Sequence, residues 1–103
     1  TSPAIIAGTE SGYVYCFDAH GKLLHLRNAG DAIRALASGQ DADGRSIIVA
    51  ALSNHPVVVV MDVTLKPIGR AIFKHPVRWI SVRTDGVLCV TPKSVGIITG
   101  ANE

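Results

Sequence analysis

Apolar and polar positions alternate in short runs along this chain, and Gly, Pro, Asn or Asp interrupts them every few residues. Alternation of this kind marks half-buried strands, so the chain reads as a succession of β-strands joined by tight turns. The pattern predicts ten strands: Ala4–Gly8, Tyr13–Asp18, Leu23–Arg27, Ile33–Ala37, Ser46–Leu52, Val57–Val63, Ile68–Phe73, Val77–Val82, Val87–Thr91 and Val95–Thr99. Turn-forming stretches separate them: ESG, AHGK, NAGD, GQDADG, SNHP, TLKP, KHP, RTDG and PKS. One segment competes for a helix. DAIRALAS (31–38) offers an Asp in the capping position with good helix formers behind it.

An internal repeat decides against that helix. Ile33-Arg34-Ala35-Leu36-Ala37 corresponds to Val77-Arg78-Trp79-Ile80-Ser81, 44 residues later, and Asp18 corresponds to Asp62 at the same offset. The later copy is rich in Trp, Ile and Val, a strand composition, so the earlier copy is predicted to be a strand as well. Ile5-Ile6-Ala7-Gly8 corresponds to Ile47-Ile48-Val49-Ala50 at an offset of 42, with His55-Pro56 accounting for the difference. Asp43-Gly44 recurs as Asp85-Gly86. The repeats run approximately over 4–45 and 46–86, with a partial copy at 87–103, inside one segment spanning 1–103.

Four short strands in such a period is the spacing of a β-propeller blade. A lone four-stranded blade has two faces to bury, so blades stack around a ring and the layers between them become the core. The predicted fold is therefore all-β: about two and a half four-stranded antiparallel blades of a β-propeller. Labelling blade strands a to d from the inside outwards, the chain reads b-c-d, a-b-c-d, a-b-c. The alternative is a compact β-sandwich or barrel with a coincidental repeat. That alternative requires strands to pair with segments distant in sequence.

Composition fits a module that expects company. The chain has 103 residues, 48% hydrophobic and only 17% charged, with a mean hydropathy of +0.32. A domain of this size buries roughly 60–68% of its unfolded surface, and so little charge implies a face meant to be covered. Net charge is +2 and the basic residues are scattered singly, which speaks against nucleic acid as a partner. No apolar run approaches the ~20 residues of a membrane helix, and TSPAIIAGTE lacks the basic start and apolar core of a signal peptide. No membrane partner is expected. Cys16 and Cys89 both fall in apolar strands and are expected to be buried free thiols; a single pair cannot establish a disulfide.

Two stretches resemble known repeat families. IIAGTESGYVYCFDAHGKLLHL (5–26) is similar to a blade of the quinoprotein-like (PQQ-like) propellers, whose pattern places an acidic residue and Gly before Val-Tyr and ends in Asp-Ala and Gly-Lys. GQDADGRSIIVAAL (39–52) resembles FG-GAP/VCBS repeats, in which an Asp-rich turn precedes a strand ending in small residues. VRWISVRTDGVLCVT (77–91) has the rhythm of a WD40 blade without its Gly-His or Trp-Asp signature. The resemblance implies a propeller but not its chemistry. Leu24-His25 stands where quinoprotein repeats place a docking Trp, and Arg45-Ser46 stands where calcium-holding turns place further oxygen ligands.

Chemistry-bearing residues are sparse. Asp41 and Asp43 are the one calcium candidate, a weak one, because calcium takes six to eight oxygens; the plain reading is an Asx turn in which Gly44 supplies a positive φ. No other cofactor is expected. His20, His25, His55 and His75 lack metal-ligand spacing. If the blades are real, the loops after alternate strands share one rim, carrying Glu10, Asn28, Asp31, Asn54, His55, Lys74, His75 and Lys93 as candidate partner-binding residues. Trp79 is expected between blades, and Tyr13 and Tyr15 on one face of their strand.

No catalytic motif is present. The sequence thus points to a non-catalytic β-propeller module, a scaffold that binds a protein or carbohydrate partner through its rim loops. The alternative is a fragment of a catalytic propeller enzyme, quinoprotein-like or lyase-like, whose active site lies in other blades. Ring closure by identical copies is out of phase, since a chain ending in strand c should be followed by d and the next copy begins with b; an oligomeric ring, the second reading, needs a strand exchanged or left unpaired at each junction. The expected partners in closure are further blades from the same longer protein or from other subunits.

Overall fold

A computed structural model describes residues 4–98. It contains ten strands: β1 (Ile5–Gly8), β2 (Tyr13–Phe17), β3 (Leu23–Asn28), β4 (Ile33–Gln40), β5 (Ser46–Leu52), β6 (Val57–Met61), β7 (Pro67–Ile72), β8 (Trp79–Arg83), β9 (Gly86–Val90) and β10 (Val95–Ile98). Each of the ten strands expected from the alternation has its counterpart, with Thr99, the expected end of the last, lying outside the described residues. DAIRALAS is strand β4, extended at its end to Gln40. No helix occurs among the described residues, so none there is long and apolar enough to cross a membrane.

The strands form three antiparallel sheets in the orders β1-β2-β3, β4-β5-β6-β7 and β8-β9-β10. Each strand pairs only with its neighbour in sequence, which removes the sandwich or barrel alternative. The three sheets reproduce the order b-c-d, a-b-c-d, a-b-c. Their borders fall at residues 28–33 and 72–79, in the NAGD link and around KHP.

The middle sheet holds the molecule together. All residues of β5 from Ile47 to Leu52 are buried, as a strand covered on both faces should be. The period of two divides them. Ile47, Val49 and Ala51 join Val58, Val60, Ile80, Val87 and Cys89 in the layer facing the third sheet. Ile48 and Ala50 join Val14, Cys16, Met61 and Leu65 in the layer facing the first. The two cysteines therefore lie in different layers with the middle sheet between them, both buried and free. Burial pushes both thiols up, that of Cys89 to about 11.

Among the described residues, nothing covers the outer faces of the end sheets. Trp79, expected between blades, is 53% exposed: it lies on the face of β8 opposite Ile80, and no described sheet covers that face. Val95 and Ile97 are exposed on β10, two strands away across β9, where Val90 pairs with both Trp79 and Val95. On the first sheet, Tyr13, Tyr15 and Phe17 line one face of β2, with ring centroids 6.4 and 6.0 Å apart, and Ile5, Leu23 and Leu26 are exposed on the flanking strands.

Candidate functional site

The loops after β1, β3, β5 and β7 are laced together by backbone hydrogen bonds, which places them on one rim. Ala29 N donates to Gly12 O (2.8 Å) and Ile33 N to Thr9 O (3.0 Å), joining the first two. Ser53 N donates to Ala32 O (2.8 Å), and Phe73 N donates to Pro56 O (2.7 Å). The rim is thus a connected surface with little freedom for any one loop to move alone.

Asp31 is its hub. The side chain is only 8% exposed, and its two oxygens accept four hydrogen bonds. Oδ1 accepts from Ala32 N and Asn54 Nδ2, each at 2.8 Å. Oδ2 accepts from Asn54 N at 2.7 Å and faces His55 Nδ1 at 2.9 Å. The His55 and Asn54 side chains, then the backbone bonds, hold the Asp31 carboxyl far below the usual carboxylate range against some desolvation. A bond to Nδ1 leaves Nε2 as the outward nitrogen of His55, whose side chain is 63% exposed. Asp31 therefore fixes an exposed imidazole and a neighbouring amide in one orientation.

The eight candidate rim residues separate into groups. Asp31, Asn54 and His55 come together as one cluster. Asn28 sits in the same link and accepts from Gly30 N through Oδ1 (2.8 Å). Among the described residues, Glu10, Lys74, His75 and Lys93 make no side-chain hydrogen bond or ion pair; Glu10, Lys74 and Lys93 are exposed.

The calcium candidate is a turn on the opposite rim. Asp41 Oδ1 accepts from Asp43 N and Arg45 N, both at 2.9 Å, and Oδ2 faces Arg45 Nε at 3.2 Å. Asp43 faces the same guanidinium at 3.6 Å. Desolvation raises the Asp41 carboxyl, but the backbone donors and the Arg45 charge outweigh it and leave it below its ordinary value. A cation here would have to displace Arg45 from both carboxylates. Among the described residues, no group of three His, Cys, Asp or Glu side chains is placed to hold a metal.

The same turn occurs three times, a regularity that strand-by-strand reading passes over. Asp18 Oδ1 accepts from His20 N and Lys22 N (2.8 and 2.9 Å), and Asp62 Oδ1 from Thr64 N and Lys66 N (2.8 and 3.0 Å). The spelling is Asp-Ala-His-Gly21-Lys22, Asp-Ala-Asp-Gly44-Arg45 and Asp-Val-Thr-Leu65-Lys66. The fourth position needs a positive φ, and the third copy meets that need with Leu65 at 66°. Leu65 hides the motif in the sequence; its side chain is 1% exposed in the layer between the first two sheets.

With this geometry in hand, likeness to solved structures decides the architecture. The chain superposes on BBS1N, solved in complex with ARL6DN, with a TM-score of 0.74 over 87% of its length at 16% identity. It superposes on the Cps50 (Swd1) β-propeller domain of Myceliophteria thermophila with a TM-score of 0.67 over 97% of its length at 14% identity. The sheets are β-propeller blades. The chain spans 29% and 36% of those two structures, about a third of each. No family model matches the chain, and no curated protein matches it in sequence.

Proposed function

We propose that the chain is part of a non-catalytic propeller scaffold that binds its partner through the rim carrying Asp31, Asn54 and His55. The observation behind this reading is the hub itself. A nearly buried carboxylate with four hydrogen bonds orients an exposed histidine, and exposed Glu10, Lys74 and Lys93 stand on the same rim. Such a surface offers fixed donors and acceptors on a rigid frame, which keeps the ordering cost of binding low. A protein partner is favoured over a carbohydrate, because BBS1N, a neighbour in fold, was solved with the protein ARL6DN. Blade type is assigned as quinoprotein-like, on residues 5–26, or FG-GAP/VCBS-like, on residues 39–52. In this reading the Asp41 turn works without calcium.

Immobilised protein and glycan arrays, probed with the chain and with two variants, test the proposal. His55→Ala with Lys74→Ala should lose binding that Lys22→Ala with Asp43→Ala, on the opposite rim, retains. Equal loss in both variants, or a ligand indifferent to both, overturns it.

A further inference from the structure

We propose that the rim carrying the Asp31 hub docks an acidic polypeptide segment of its partner, held by Arg34 and Arg78 at the starts of two neighbouring strands. The proposal rests on the rim reading above and names the chemistry of what binds there. The two arginines correspond at the 44-residue offset, and each falls where its strand carries one extra residue. In β4 the register passes from Ile33↔Leu52 directly to Ala35↔Ala51. At β8, Arg78 N donates to Val90 O at 2.7 Å, although Trp79 is the residue paired with Val90. A bulge of this kind sets two residues opposite one and re-aims a side chain.

Packing shows which residue is the extra one. Ile33 and Leu36 both pack in the layer facing the first sheet, and Ala35 in the layer facing the third, so alternation fails between 33 and 35. Arg34 belongs to neither layer and is exposed. Val77 and Ile80 repeat the pattern in the layer between the second and third sheets, and Arg78 is again exposed. Strands β4 and β8 lie side by side, so both guanidiniums belong to one stretch of rim. Among the described residues, neither makes a side-chain hydrogen bond or ion pair.

The two rims differ in how their charges are balanced. On the opposite rim each turn carries its own carboxylate, and Arg45 and Arg83 are tied at 3.2 Å to Asp41 and Asp85. On the hub rim, the carboxylates among the described residues are Glu10, at the first-sheet end, and Asp31, whose oxygens are taken up inside the hub. Exposed Lys74 and Lys93 extend the cationic stretch. Lys74 follows Phe73, whose N bonds Pro56 O beside His55. Thr91 Oγ1 accepts from Lys93 N (3.3 Å) and Ser94 N (3.0 Å) and so holds the turn that carries Lys93. A planar guanidinium donates to both oxygens of a carboxylate. These four cations are spread over the links of two sheets, so they match carboxylates spaced along a chain better than one small anion. They are fewer than the roughly 6–10 phosphate contacts of a protein held on nucleic acid.

The test titrates the 103-residue chain with a fluorescein-labelled peptide of Glu-Ser repeats, against a Gln-Ser peptide of equal length. The acidic peptide alone should bind, less tightly as salt rises. Its amide shifts should gather at Arg34, Arg78 and Lys93 and spare Asp18, Asp41 and Asp62. Arg34→Gln with Arg78→Gln should weaken binding about tenfold, while Arg45→Gln with Arg83→Gln, on the opposite rim, should change it by less than about twofold. Failure of the acidic peptide to bind, equal loss in the two variants, or tighter binding of a single-stranded oligonucleotide or a phosphatidylserine vesicle overturns the proposal. If His55→Ala with Lys74→Ala still loses its partner on the arrays in that event, the proposed function stands and only the acidic docking falls.

Discussion

Strands β5 and β2 occupy the same kind of position, inside their sheets, yet they are built differently. In β5 every residue from Ile47 to Leu52 is buried, whereas in β2 only Val14 and Cys16 are fully buried, and Tyr13, Tyr15 and Phe17 are half covered. The difference lies in the neighbours. The middle sheet has a sheet on each face, while the first has one on a single face. The apolar residues on the open face of β2 are those of a strand built to be covered on both sides, which matches a chain spanning about a third of comparable propellers.

The largest expected effect breaks the covered side. Val49→Asp places an unpaired charge at a fully buried site. A cost above about 4 kcal/mol is comparable to the whole stability of a small domain, so circular dichroism should report an unfolded chain. Leu26→Lys on the open face of the first sheet should shift the urea midpoint by no more than about 0.5 kcal/mol in stability. Equal damage from both would mean that the open face is already covered within the isolated chain.

A cavity between the first and second sheets comes next. Met61→Ala removes a fully buried side chain and should cost about 2–5 kcal/mol by denaturant titration.

Smaller still is the effect at Leu65, where two terms oppose. A left-handed non-Gly residue costs about 1–2 kcal/mol, and burial of a Leu side chain returns about 1.5–3 kcal/mol. Leu65→Gly relieves the first and loses the second, so a net loss of about 1 kcal/mol is expected. A gain in stability would show that the side chain contributes less to that layer than its burial implies.

Acid should act through the hub. Asp31 is held below its unfolded value of about 3.9. Its contribution is present above that value and is lost as pH falls towards the lowered folded one. Asp31→Asn should therefore flatten the decline of stability below about pH 4, measured by thermal melts. An unchanged acid limb would detach Asp31 from the stability of the rim. The smallest effect is none: millimolar calcium should leave the melting temperature unchanged, and a rise that Asp41→Asn abolishes would restore the metal reading.

Much of this was legible along the chain because alternation is a local signal. Strand β2 alternates and β5 does not, and the 44-residue correspondence was enough to turn DAIRALAS from a helix candidate into β4. What stayed hidden depends on contacts across the fold. Nothing adjacent to Asp31 announces Asn54 and His55 as its partners, 23 and 24 residues away. Trp79 reads as core by residue type and is exposed because no described sheet covers its face of β8. Leu65 disguises the third copy of a turn whose other two copies carry Gly.

The central claim, an arc of blades closed on the inside and open at both ends, is most directly tested by native-state amide exchange across all ten strands. The account predicts the slowest exchange in β5 and β6, with β1, β3, β8 and β10 opening at lower free energy. Uniform protection of all three sheets would contradict it, because it would mean that the chain is already complete as a folded unit.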